Sequence, residues 1–113
     1  MARLKTLFHI DEMEKWSLLL INVRNTLIYC GDENVDIEVV ANSEAVDGYK
    51  PDFELAHVIT KQSSRGVKFV ACKSALDAHK MGKEDILNFV QVVPASIVEI
   101  VEKQQEGYGY IKP

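Results

Sequence analysis

The sequence lacks any long hydrophobic run and any cluster of basic residues. Its longest aliphatic run, Leu18 to Ile21, is far shorter than the roughly 20 residues that a membrane-spanning helix needs. No signal-peptide pattern is visible, so we expect a cytoplasmic protein without a membrane partner. The formal net charge is −4, whereas a nucleic-acid-binding domain usually presents a basic face. We therefore expect no nucleic-acid partner.

Cysteine and glycine are also scarce. The two cysteines, Cys30 and Cys72, form no C-x-x-C pair, so the usual zinc and dithiol redox motifs are excluded. In a reducing compartment both thiols should be free. The six glycines are isolated, and neither a dinucleotide-binding nor a phosphate-binding loop can be written through them. His9 and Asp11 could share one strand face, but no third ligand lies at a fixed spacing, and we predict neither a metal nor a cofactor.

What the sequence does contain is a regular alternation of strand-like and helix-like segments. Hydrophobic residues make up 47% of the 113 residues, enough to form the core of one domain, which we expect to span residues 1–113. This alternation, with connections too long for hairpins, predicts a parallel sheet with helices on both faces. The predicted strands are residues 4–10, 35–40, 67–72, 89–93 and 108–111, and the predicted helices begin near Glu12, Pro51, Lys73 and Ser96.

Local sequence motifs predict where the first and last helices begin and where the first helix ends. Asp11 and Glu14 have the Asp-x-x-Glu spacing of a helix cap, and Ser96 and Glu99 have the Ser-x-x-Glu spacing of a capping box. In both motifs a side-chain oxygen accepts a hydrogen bond from a free backbone N–H of the first turn. Gly31 is expected to end the first helix. Residues 44–50 are predicted to form a loop.

Functional side chains of parallel α/β sheets gather at the carboxyl ends of the strands. Cys72 ends the third predicted strand and opens a helix, where backbone N–H groups and the adjacent Lys73 would favour the thiolate. A free cysteine is also often a small buried side chain without chemistry, and the residues alone leave both interpretations open. Cys30, at the tail of a helix, is predicted to be structural. The other candidates at strand ends are His9, Asp11, Asn42, Ser43 and Ser74.

Three segments resemble a known family. Residues 35–42 (VDIEVVAN), 67–76 (VKFVACKSAL) and 102–113 (EKQQEGYGYIKP) are similar to the small stand-alone DsrE-like proteins of the DsrE/DsrF/DsrH sulfur-relay superfamily. The similarity covers essentially the whole chain, and it is most specific around Cys72 and at the C-terminal tail. Ser74 departs from the pattern, because many stand-alone relatives have Asn at this position.

This resemblance implies a three-layer α/β/α fold whose five-stranded parallel sheet has the strand order 4-3-2-1-5. It also implies a homo-oligomer, commonly a trimer or hexamer. In relay members the cysteine after the third strand, here Cys72, carries sulfur as a persulfide between donor and acceptor proteins. The strand order places His9 and Asp11 beside the switch point of the sheet and Cys72 two strands away. We therefore expect a neighbouring subunit to complete the cleft around the thiol.

Two functions from different classes follow as hypotheses. In the first, the protein is a sulfur carrier in which Cys72 holds the sulfane sulfur and Lys73 and the helix start stabilise its anion. Asn42, Ser43 and Ser74 would line the pocket. In the second, the protein is a non-catalytic oligomeric module for small-ligand binding or assembly, and Cys72 only packs. Whether the chain is an enzyme stays open, since the sequence shows no general base for a thiol-dependent reaction.

Overall fold

The computed structural model describes residues 3–113 and contains one five-stranded sheet whose neighbouring strands are all parallel. The strand order β4-β3-β2-β1-β5 confirms the predicted order. The three central strands are buried on both faces over most of their length, as is typical of a parallel sheet between helices. The strands are Leu4–Ile10 (β1), Val35–Ala41 (β2), Lys68–Cys72 (β3), Gln91–Val93 (β4) and Gly109–Ile111 (β5).

Helical segments form the connections between successive strands and lie on both sides of the sheet, which confirms the predicted α/β/α architecture. Within residues 3–113, no helix is long and apolar enough to cross a membrane. The α-helices are Trp16–Cys30 (α1), Ala56–Ser64 (α2), Lys73–Ala78 (α3) and Ser96–Gln105 (α4), and 3-10 helices span Met13–Lys15, Asp32–Asn34, Ser43–Tyr49 and Lys83–Asp85.

The segment between β2 and α2 differs from its prediction. The expected loop at residues 44–50 is the 3-10 helix Ser43–Tyr49, which is held in place because its apolar side chains are buried. The helix expected from Pro51 begins only at Ala56. Residues 50–56 instead pass through successive turns, in which the N–H groups of Phe53 and Ala56 bind the carbonyl three residues earlier.

The first helix buries the face that its apolar spacing predicts. Gly31 follows it with φ of 89°, a conformation that favours glycine, and its N–H binds the carbonyl of Leu27 at 2.8 Å. The prediction that Gly31 ends the helix is therefore confirmed. The buried side chains of α1 are Trp16, Leu19, Leu20, Val23 and Leu27.

Both predicted helix caps are wrong, for the same physical reason. Asp11 lies outside the cap position of the Met13–Lys15 turn, and its carboxylate binds Lys112 at 3.0 Å. Ser96 is the first residue of α4 rather than its cap, which is Ala95. In each case a partner distant in sequence takes the side-chain oxygen that the local pattern assigns to the helix N-terminus.

The two faces of the sheet carry cores of different size. The larger core lies on the side of α1, and it includes Phe8, Val39 and Phe69 from the three central strands. The smaller core lies on the side of α4. There the buried side chains are Leu7, Val40, Val70 and Ile100.

The carboxyl ends of the strands bring three predicted site residues to one edge of the sheet. Side chains alternate along a strand, so His9 and Asn42 follow Leu7 and Val40 by two positions and share their face, whereas Cys72 at the end of β3 packs with the larger core. Because β1, β2 and β3 are adjacent and parallel, these three residues end neighbouring strands at the same edge of the sheet.

Candidate functional site

Cys72 is the last residue of β3 and the N-cap of α3, and it is 6% exposed. Burial alone would raise the pKa of its thiol, because the thiolate loses hydration. The Ser96 hydroxyl and the backbone N–H groups of Ala75, Ser96 and Ser74 outweigh burial and hold the pKa of Cys72 below its usual value. The side chain of Cys72 makes no regular capping hydrogen bond at the start of α3. The sulfur thus lies among donors that favour its anionic, nucleophilic form.

Ser96 is one of two residues of the site, with Tyr110, that the sequence analysis missed. Strand β4 lies beside β3, and Val93 is the register partner of Cys72, so the chain leaving β4 passes the carboxyl end of β3. Ala95 is extended and α4 begins at Ser96, which is 3% exposed. A usable signal was the expected strand order, since a serine just after the fourth strand must then lie near a cysteine just after the third.

A series of hydrogen bonds continues from Ser96 across the sheet edge. Oγ of Ser96 accepts a hydrogen bond from Nδ2 of Asn42 at 3.1 Å. Oδ1 of Asn42 lies 3.0 Å from Nε2 of His9, and Nδ1 of His9 lies 2.7 Å from the hydroxyl of Tyr110. We call the side chains of Tyr110, His9, Asn42 and Ser96 the Tyr110 network. Ser96, at its end, is among the groups that lower the pKa of Cys72.

His9 and Cys72 end strands that lie two positions apart in the sheet, as expected from the strand order. The Tyr110 network spans the strand between them. Strand β2 lies between β1 and β3, and Asn42, directly after β2, bonds toward both sides. His9 is buried and Asn42 partly buried, whereas Tyr110 is 41% exposed on the edge strand β5. The network therefore connects the buried hydroxyl of Ser96 with a surface phenol within one subunit.

Two charged candidates are paired with other side chains. Asp11 accepts a hydrogen bond from Lys112, which holds the pKa of Asp11 below its usual range. Lys73 was expected to stabilise the Cys72 thiolate, but its ammonium binds Asp77 at 2.9 Å. Their spacing of four residues places both side chains on one exposed face of α3. The donors at the sulfur are thus neutral groups rather than the lysine.

The remaining two candidates, Ser43 and Ser74, have exposed side chains. Ser43 begins the 3-10 helix after Asn42 and has φ of 52°. Ser74 acts on Cys72 through its backbone N–H. This effect comes from the backbone and does not involve the side chain at position 74.

Comparison with known proteins decides the family. The model of the DsrE/DsrF-like family matches residues 32–113. The chain belongs to this family. The matched range includes Asn42, Cys72, Ser96 and Tyr110, and His9 lies before it. A search of curated proteins finds no match.

Three solved structures are similar to this DsrE/DsrF-like chain over nearly all of its length. The protein of unknown function MTH1491 from Methanobacterium thermoautotrophicum is 35% identical, with a TM-score of 0.87 and 100% of both chains covered. The conserved protein of unknown function BT1422 from Bacteroides thetaiotaomicron is 14% identical, with a TM-score of 0.76 over 96% of this chain and 94% of that chain. The ychN protein from E. coli is 14% identical, with a TM-score of 0.73 and 100% of both chains covered. The last two similarities show the fold alone.

A second buried polar cluster lies under α4, nearer the amino ends of the strands. Glu38 of β2 is 2% exposed, and its Oε2 has no hydrogen-bond partner among the described residues. Burial, together with the hydrogen bond to Glu99 and the charge of that carboxylate, raises the pKa of Glu38 to about 8. Glu99 is itself 3.6 Å from the ammonium of Lys103. At neutral pH the buried carboxyl of Glu38 is therefore mostly protonated.

A groove of about 280 Å³ lies along the start of α4, and neither Cys72 nor Ser96 lines it. Its lining consists of residues 93–95, from the end of β4 to the start of α4, together with Val98, Glu99 and Glu102 of α4. A larger cavity of about 420 Å³ lies between residues 50–52 and 79–81, away from the Tyr110 network. Among residues 3–113, no three His, Cys, Asp or Glu side chains converge as metal ligands would.

Proposed function

We propose that this DsrE/DsrF-like protein is a sulfur carrier that holds sulfane sulfur as a persulfide on Cys72. The observation that carries the proposal is the position of Cys72 at the carboxyl end of β3 and the N-cap of α3, where neighbouring groups, among them Ser96, lower the pKa of its thiol. A lowered pKa favours the thiolate, which is the form that attacks sulfur. Membership of a family whose relay members move sulfur through the equivalent cysteine supports the same chemistry.

Loading is a thiol exchange at the outer sulfur of a donor persulfide. The Cys72 thiolate attacks that sulfur, a new S–S bond forms, and the donor's own S–S bond breaks. The electron pair of the broken bond leaves on the donor sulfur as a thiolate, and Cys72 becomes Cys–S–SH. Neither an external oxidant nor a cofactor is needed, because one S–S bond replaces another.

Unloading reverses the roles of the two sulfurs. An acceptor thiolate attacks the outer sulfur, the bond to Sγ breaks, and its electron pair returns to Cys72 as a thiolate. A leaving thiolate departs faster when its pKa is low. The donors that favour ionised Cys72, chiefly Ser96, thus assist both the attack and the departure.

Mass spectrometry after incubation with inorganic polysulfide tests the proposal. We expect the Cys30→Ala variant to gain one sulfur atom on Cys72, and the Cys30→Ala, Cys72→Ser double variant to gain none. Ser96→Ala should load about three- to tenfold more slowly near neutral pH, because a hydrogen bond to a charged group is lost while the higher thiol pKa partly restores nucleophilicity. Ser17→Ala, an exposed change on α1, is the matched control.

The results that would contradict sulfur carrying concern Cys72 alone. Equal sulfur adducts with and without Cys72, or no adduct on Cys72 under conditions that load a free thiol, would refute it. Transfer from loaded protein to an acceptor thiol, followed as the return of unmodified Cys72, completes the cycle.

The second candidate is a non-catalytic oligomeric module for small-ligand binding or assembly. Two observations favour it, the low exposure of Cys72 and the exposed apolar side chains of α4, with Ile97 63%, Val98 55% and Val101 47% exposed. A homo-oligomer, as proposed from the family resemblance, would cover such side chains. Light scattering measures the assembly mass. A native assembly in which Cys72 resists a small thiol reagent would favour this function over sulfur carrying.

A further inference from the structure

We propose that the groove between α1 and α2 binds a free α-amino acid whose apolar side chain is about the size of that of leucine. We call it the α1–α2 groove. It has a volume of about 170 Å³ and lies on the side of the sheet that carries the larger core. None of its lining residues is Cys72 or a member of the Tyr110 network. The inference therefore goes beyond sulfur carrying, and its test is independent of that function.

The walls of the α1–α2 groove are mostly apolar. Each helix contributes residues at helical spacing, among them Leu20, Ile21 and Arg24 from α1 and Leu55, Val58 and Gln62 from the start and body of α2. Ile21 is 43% exposed, so a side chain bound in the groove would remove apolar surface from water. A cavity of about 150 Å³ admits a benzene ring. The groove thus fits one branched or aromatic side chain and is too small for a nucleotide.

Gln62 provides a hydrogen-bond acceptor that has no donor. It lines the groove and is 4% exposed, and its Nε2 donates to the carbonyl of Leu20 at 2.9 Å. This bond fixes the orientation of the amide, because a carbonyl can accept only from the nitrogen. Oε1 is left without a partner among the described residues. A buried acceptor without a hydrogen bond costs stability, so a ligand that brings an N–H group supplies what the folded chain lacks.

Arg24 provides donors at the same level of α1. In an α-helix each carbonyl pairs with the N–H four residues later, so the Leu20 carbonyl that binds Gln62 is also the one that Arg24 reaches. Arg24 is exposed, and it takes part in none of the ion pairs that residues 3–113 form. A guanidinium binds a carboxylate through two parallel hydrogen bonds. The polar end of the groove thus combines a free cation with a free acceptor.

These three features together select one class of ligand. The guanidinium of Arg24 only donates and attracts an anion, the free oxygen of Gln62 only accepts, and the walls bind an apolar group. An apolar α-amino acid carries a carboxylate, an ammonium and an apolar side chain on one carbon. A fatty acid lacks the donor for Gln62, and an apolar amine lacks the carboxylate for Arg24.

Titration with L-leucine, followed by NMR of the backbone amides of the whole chain, tests the site. We expect shifts at the amides around the groove and a Kd on the order of 1 mM, which is ordinary for so small a ligand. Isocaproate, which is leucine without its ammonium, should bind about tenfold more weakly because the acceptor of Gln62 stays unpaired. Isoamylamine, which is leucine without its carboxylate, should bind about fivefold more weakly because an exposed ion pair is lost.

Two variants with matched controls assign the binding to the groove. Arg24→Gln should weaken the binding of L-leucine about fivefold, whereas Lys61→Gln, which removes an exposed positive charge of α2 outside the groove, should not. Ile21→Trp should fill the groove and abolish the binding. Ile28→Trp, the same change at a 68% exposed position of α1 outside the groove, should leave it intact. Circular dichroism establishes that each variant is folded.

Any one of four results overturns the proposal. The first is the absence of shifts around the groove at leucine concentrations well above the expected Kd. The second is isocaproate that binds as tightly as leucine, because the groove would then accept any apolar anion. The third is an equal effect of Arg24→Gln and Lys61→Gln. The fourth is tighter binding of N-acetyl-alanyl-leucine, which has a peptide N–H in place of the ammonium and would assign the groove to the last residue of a peptide.

Discussion

Replacing Glu38 by Gln should make the stability of the protein less dependent on pH. In the folded protein, burial and the neighbouring Glu99 raise the pKa of Glu38 from 4.5 to about 8. In the unfolded chain the same carboxyl ionises near its ordinary value. The folded state therefore gains stability from the protonated carboxyl that is fully present below about pH 4.5 and is lost as the pH rises to about 8. Gln has nearly the same shape and cannot ionise.

The size of the effect follows from the difference between the two pKa values. Each pKa unit is worth about 1.4 kcal/mol, and at pH 7 the pH exceeds the unfolded value by about 2.5 units. The free energy of unfolding of Glu38→Gln, relative to the parent, should thus rise by about 3 kcal/mol between pH 4.5 and pH 7. The charged groups around Glu38 that share this titration are Glu99, Lys103 and Lys68.

Urea unfolding followed by the fluorescence of Trp16, the single and fully buried tryptophan, provides the measurement. Glu102→Gln, an exposed change on α4, is the control and should follow the parent at every pH. Parallel stability curves for the parent and Glu38→Gln, within about 0.5 kcal/mol from acid to alkaline pH, would refute the assignment of Glu38 as a buried acid.

Two further predictions concern the larger core. Gly48→Ala should destabilise the protein by about 1–3 kcal/mol in urea unfolding, since the added methyl would lie 2.1 Å from the buried Trp16 ring. Gly109→Ala, whose methyl meets its nearest atom at 3.7 Å, should cost much less, and equal losses would contradict the packing. Tyr49→Phe should cost about 1–2 kcal/mol, because the buried hydroxyl donates to a β3 carbonyl at 2.9 Å. Tyr29→Phe, at a 92% exposed position, is its control, and a loss no larger than the control's would contradict this hydrogen bond.

Periodicity and strand order predict most of the fold because they follow from burial. The first strand is predicted with its observed bounds, Leu4–Ile10, and the second within one residue, since both are largely apolar segments of the length typical of a strand. The helix expected at Pro51 failed because turns and short 3-10 segments give little periodic signal. The edge strand Gln91–Val93 is shorter than the predicted strand 89–93, because the turn before it also gives little periodic signal.

The candidate site was harder to predict because it is built from contacts distant in sequence. Lys73 is adjacent to Cys72, but helical spacing directs it to Asp77 instead. Ser96 has the local pattern of a helix cap, but the fold brings it to Asn42. A side-chain oxygen near a helix start has several partners of similar energy, and only the tertiary structure selects among them.

The pairing of β5 with β1 has a consequence for folding. His9 and Tyr110 are 101 residues apart, so the hydrogen bond between them closes a loop that includes most of the protein. Contacts of this separation are costly in chain entropy and form late. A partly folded molecule in which β5 has not yet paired with β1 therefore lacks the hydrogen bond between Tyr110 and His9. Pairing of the edge strand β5 with β1 is therefore expected to be among the last steps of folding.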